Sequence, residues 1–107
     1  MYLAFEKINS QTHYIIRESY RQADHFLSRD LLDLGIDPAS YIVYPGGNSF
    51  YIDPDVEDRL TDMGSKADPD EIEDIFWPFV HPEIRRVLEP FRSREKRHQA
   101  SRRGKRP

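Results

Sequence analysis

The chain has 107 residues, 37% of them hydrophobic and 33% charged, with net charge -3, six Phe, six Tyr, one Trp and no Cys. That length suits one domain with a core able to fold unaided and leaves no room for a second catalytic domain. The cysteine inventory excludes disulfide frameworks, thiolate metal sites and cysteine nucleophiles. No apolar run approaches the roughly 20 residues that span a bilayer, so the sequence reads as a soluble, cytoplasmic chain without a membrane role.

Residues 1–52 are rich in aromatic and β-branched side chains, and turn signals break them about every ten residues, the pattern of β-structure. The expected strands are Tyr2 to Ile8, His13 to Tyr20, Phe26 to Leu34, Tyr41 to Tyr44 and Ser49 to Ile52. Asn9-Ser10-Gln11-Thr12 joins the first pair and Pro45-Gly46-Gly47-Asn48 the last, where glycine supplies the positive φ of a tight reversal; His25 falls in a turn. The third strand has an alternative: Ser28 could cap a short helix that ends at Gly35.

From Asp53 onward the apolar period lengthens to about 3.6 residues, the spacing of one helix face. Asp53-Pro54 opens a helix with Val56, Leu60 and Met63 inward and Gly64 as its stop. Asp68-Pro69 opens a second, with Ile72, Ile75, Phe76 and Phe79, and Pro82 a third, with Ile84, Val87, Leu88 and Phe91. Glu71 to Phe79 and Glu83 to Phe91 share the pattern Glu-Ile-x-x-apolar-apolar-x-Pro-Phe. Ile75 and Val87 are therefore expected in equivalent inward positions, with Glu73 and Arg85 outward. Pro78 and Pro90 should end or kink their helices. The fold class expected is α+β: an antiparallel meander of four to five strands over 1–52, two or three short helices over 53–91, and a basic, disordered tail over 92–107.

Charge divides at the same boundary. Residues 1–91 carry 18 acidic and 8 basic side chains, a balance of -10, whereas residues 92–107 carry 1 and 8, a balance of +7. Arg92, Arg94, Lys96, Arg97, Arg102, Arg103, Lys105 and Arg106 form a cluster of the kind that neutralises phosphates and gains affinity by counterion release. With no aromatic side chain interleaved, such a tail binds nucleic acid without reading its sequence. Aromatic density is found elsewhere, in Tyr41, Tyr44, Phe50 and Tyr51 around the Pro45 to Asn48 turn, as core packing or as a partner-binding surface.

No catalytic, metal or cofactor constellation emerges. A calcium loop read from Asp53 finds Asp55 and Glu57 at ligand positions, but Asp58 replaces its glycine and Gly64 its closing glutamate. His13, His25, His81 and His98 lack zinc-ligand spacing. Gly47-Asn48-Ser49-Phe50-Tyr51 is not a nucleophile elbow, and Gly104-Lys105 is not a phosphate loop.

Tyr14-Ile15-Ile16-Arg17-Glu18-Ser19-Tyr20-Arg21, followed by Ser28-Arg29-Asp30-Leu31-Leu32-Asp33-Leu34-Gly35, resembles the amino-terminal hairpin region of some DDE-type transposases. There, a strand ending in Glu-Ser-Tyr-Arg leads through a turn to an Arg-containing strand ending in Leu-Gly. Ala23-Asp24-His25 stands where that family has a Gly-Gly-Lys-like turn, and the chain is too short for the catalytic core. The resemblance implies a non-catalytic module inclined toward DNA, with Arg17, Arg21 and Arg29 as contacts. The functional expectation is a non-enzymatic accessory or regulatory protein that holds nucleic acid through its basic tail; the alternative is a protein-interaction module that uses its aromatic or acidic surface.

Overall fold

Alternating apolar residues and two tight turns set the first half of the molecule. In the computed structural model, which describes residues 1–92, Tyr2–Ile8 (β1), Gln11–Gln22 (β2) and His25–Gly35 (β3) form a three-stranded antiparallel sheet in sequence order. Asn9 and Ser10, with φ of +52° and +66°, make the first two-residue turn, whose left-handed backbone matches the twist of the strands it joins. Ala23-Asp24 makes the second, with Ala23 at φ +55°, so His25 is the first residue of β3 rather than a turn residue. The helical alternative for 28–34 is replaced by strand.

The two sheet edges differ. β1 pairs with β2 in unbroken register from Tyr2↔Arg17 to Ile8↔Gln11. β3 pairs with the other side of β2 through two irregularities, and Leu31 and Leu34 are the residues left over at them. Both leucines are buried with Leu32 and Ile16, so the bulges add core side chains that strict alternation would send outward. On the outer face Arg17 donates to Asp30 at 2.6 Å and to Glu6 at 2.5 Å, tying all three strands. These hydrogen bonds, Asp30 first and then Glu6, raise the Arg17 pKa above its ordinary value. A raised folded-state pKa makes this contribution complete below the ordinary arginine value and lost only as pH climbs through the raised one.

The expected meander of four to five strands is corrected to two separate sheets. Gly35, at φ +72°, and the buried Pro38 turn the chain out of β3 into a 3-10 turn, Pro38–Tyr41, which prevents a ladder from β3 to the next strand. Ile42–Val43 (β4) and Tyr51–Ile52 (β5) pair only with each other. Tyr44, Ser49 and Phe50 leave the strands, and the tight turn expected at Pro45 to Asn48 becomes the connection 44–50, closed by a 2.7 Å bond from Ser49 Oγ to the Gly46 carbonyl.

Two helix starts follow one device. Pro54–Asp62 (α1) and Pro69–Phe76 (α2) each place proline in the first turn, and the side chains of Asp53 and Asp68 accept from the amides of Asp55 and Asp70 at 3.0 Å. Gly64, at φ +79°, ends α1: its amide reaches the Thr61 carbonyl while that of Ser65 reaches Leu60, satisfying two terminal carbonyls. Met63, expected inward, is the residue where this helix closes and is exposed. Val56, Leu60, Ile72, Ile75, Phe76 and Val80 fill the core against the leucines of β3.

A third helix, α3, covers residues 82–92. Pro78 ends α2 in a short 3-10 turn as expected, but α3 continues through Pro90. Val87 and Phe91, expected inward, are exposed, whereas Ile84 of α3 packs on the core. Glu73 and Arg85, expected outward, are half-buried.

Candidate functional site: an acidic aromatic cleft

A concavity lies where β5 meets the starts of α1 and α2. It is a cleft of about 220 Å³. Phe50 and Tyr51 supply aromatic surface, Pro54 and Pro69 are the first residues of the two helices, and Asp53, Glu57 and Glu73 supply carboxylates, with no basic side chain in the lining. The shared helix-start device contributes a rigid ring from each helix, Pro54 and Pro69, while the carboxylates come from the α1 cap Asp53, the α1 first turn at Glu57 and, further along α2, Glu73. Asp53 and Glu57 suit the positive end of α1, and with Glu73 they give the cleft negative charge.

One wall continues into a site that already holds a cation. Phe50 lies 6.0 Å, centroid to centroid, from Trp77, and the guanidinium of Arg92 sits 4.1 Å above the Trp77 ring. Arg92 also donates to Glu73 at 2.8 Å and to Asp74. Its side chain is only 17% exposed, so ring face and carboxylates hold it largely out of water. Glu73 thus borders both the cleft and this arginine.

The aromatic residues singled out in the sequence separate into different settings. Phe50 and Tyr51 line the cleft. Tyr41 is half-buried and packs toward Phe76 at 6.2 Å, whereas Tyr44 stands edge-on to His81 at 6.3 Å and its hydroxyl accepts from the His81 amide at 2.9 Å. Sequence reasoning did not select Pro54, Pro69, Glu73 or Trp77; the repeated Asp-Pro step was the available signal. Of the basic cluster, Arg92 is bound as described, and Arg94, Lys96, Arg97, Arg102, Arg103, Lys105 and Arg106 lie outside the described residues.

The three arginines implied by the hairpin resemblance are engaged within the sheet. Arg17 holds Glu6 and Asp30, Arg29 holds Glu18 at 2.6 Å, and Arg21 lies 5.6 Å over the Phe26 ring. Among the described residues no group of His, Asp or Glu is arranged to hold a metal ion, and no helix is long and apolar enough to cross a membrane. Comparison with protein-family models, curated proteins and solved structures returns no match.

Proposed function

We propose that the protein is a non-enzymatic interaction module, accessory or regulatory in role, whose acidic aromatic cleft receives a partner segment carrying Arg or Lys beside an apolar residue. The observation that supports this reading is Arg92 on Trp77, Glu73 and Asp74, a guanidinium of the chain itself held at the surface bordering the cleft. Phe50, Tyr51 and the two prolines offer apolar contact, while Glu57 and Glu73 offer charge. Such a combination favours a cationic peptide and repels a phosphate backbone.

Trp77, the single tryptophan, makes the test direct, since it adjoins Phe50 and Arg92. Titrating the full chain with an Arg-Pro-rich peptide should change Trp77 fluorescence. Glu57→Lys should weaken that binding by roughly tenfold or more, the effect of reversing one rim charge at close range. Equal affinity for an acidic peptide of matched length would remove the cleft from this role.

Charge segregation favours a second reading, in which the +7 balance of residues 92–107 holds nucleic acid without sequence preference while the -10 balance of residues 1–91 opposes it. Duplex binding should then fall steeply with salt and vanish when Arg94, Lys96, Arg97, Arg102, Arg103, Lys105 and Arg106 are replaced by Gln. Binding unchanged by those replacements would discard this reading.

A further inference from the structure

We propose that the outer edge of β1 pairs antiparallel with β1 of a second copy, joining two three-stranded sheets into one of six strands. The inference is independent of the cleft. β1 is an edge strand, regular over all seven residues of Tyr2–Ile8, without proline or bulge. Among the described residues, its main chain has no hydrogen-bond partner outside β2. Edges are ordinarily blunted by bulges, inward charges or cover, because unpaired amides and carbonyls are a template for another strand. β3 carries two such irregularities, and β1 carries none.

The side chains of β1 then choose the partner. Its exposed apolar residues are Tyr2 at 43%, Phe5 at 69% and Ile8 at 46%. A two-fold axis perpendicular to the sheet keeps like faces together, so paired positions must have the same parity. Centring the axis on Phe5 overlaps the whole strand, setting Phe5 against Phe5, Tyr2 against Ile8, Leu3 against Lys7 and Ala4 against Glu6. Every exposed apolar side chain meets an apolar partner, and no like charges face each other. Moving the axis to Ala4 sets Tyr2 against Glu6 and strands Ile8, whereas moving it to Glu6 opposes two glutamates. Parallel pairing in register also opposes Glu6 to Glu6.

Phe5 already stands 6.5 Å from Tyr14, which meets Phe79 edge-on at 5.1 Å. The Phe5 contact would join two such rows into one across the axis. Direct cross-strand aromatic pairs of this kind favour association beyond the area they bury.

The absence of cysteine allows a specific test. In the full chain, Phe5→Cys places one thiol per copy on the axis, within disulfide reach in an antiparallel pair. It should cross-link to a dimer under mild oxidation, whereas Ser28→Cys, exposed on the β3 edge, should not. Sedimentation equilibrium of the unmodified chain should show monomer and dimer exchanging with concentration, and Phe5→Lys should raise the dimer dissociation constant about tenfold through lost ring contact and added repulsion. Circular dichroism of Phe5→Lys should show an unchanged monomer fold. A monomer at every concentration, or cross-linking at Ser28 as efficient as at Phe5, overturns the proposal.

Discussion

Residues 71–79 and 83–91 obey one sequence pattern and live in opposite surroundings. In the first, Ile72, Ile75 and Phe76 are buried, and Phe79 packs beneath Tyr14. In the second, Ile84 and Leu88 are half-buried, while Val87 and Phe91 face solvent. Even the prolines behave differently, Pro78 ending its helix and Pro90 lying inside its own. A 3.6-residue stripe specifies that a helix has an apolar side, but not how much of that side finds a partner. Here the partner surface decides: α2 sets Ile72, Ile75 and Phe76 into the core, whereas of the α3 stripe Ile84 packs against it while Val87 and Phe91 stay exposed.

Ile75→Ala should sharpen that contrast most, costing about 2–4 kcal/mol because it empties a site only 8% exposed and unable to collapse freely. Denaturant melts would measure it, and a loss below that of an exposed site would erase the distinction between the segments. Arg92→Ala should come next, at about 1–2 kcal/mol, since it removes a ring contact and leaves Glu73 and Asp74 without this counter-charge. Losing Arg92 should also shift the Trp77 emission, which a purely electrostatic role on the surface would not do. Smallest is Val87→Ala, expected within about 0.5 kcal/mol, as for other surface substitutions at positions as open as its 44% exposure. If Val87→Ala matched Ile75→Ala, the two segments would be equivalent after all.

The parts legible in the sequence were those fixed by neighbours along the chain. Asn9-Ser10 makes a hairpin, Asp53-Pro54 and Asp68-Pro69 start helices, and Gly64 stops one, because each acts through the backbone within a few residues. The break between the two sheets was less legible, since it depends on the burial of Pro38 in the 3-10 turn, which no local sequence signal marks. The cleft joins 50–54 and 57 to 69–73, segments brought together only when α1 and α2 pack. Two of the four marked aromatics reached it, Tyr51 on β5 and Phe50 just before it; Tyr41 was claimed by the core and Tyr44 by His81. Arg92 looked like the root of a polyanion-binding tail, and only the fold brings Glu73, Asp74 and Trp77 back to meet it.

The sequential order of β1, β2 and β3 has a consequence for synthesis on the ribosome. All three strands and both of their turns are complete by Gly35, so the sheet can zip up from local pairings as soon as that stretch emerges. Leu31, Leu32 and Leu34 are then displayed on it, yet the later side chains that join their cluster run from Ile42 to Val80, most of them from Val56 onward. At a typical elongation of about 5–20 residues per second, the nascent sheet waits about 2–9 s between Leu34 and Val80 before its apolar face can be fully covered. During that interval the nascent chain presents a hydrophobic surface beside an open strand edge, the combination that chaperones shield and that neighbouring nascent chains on one polysome can meet.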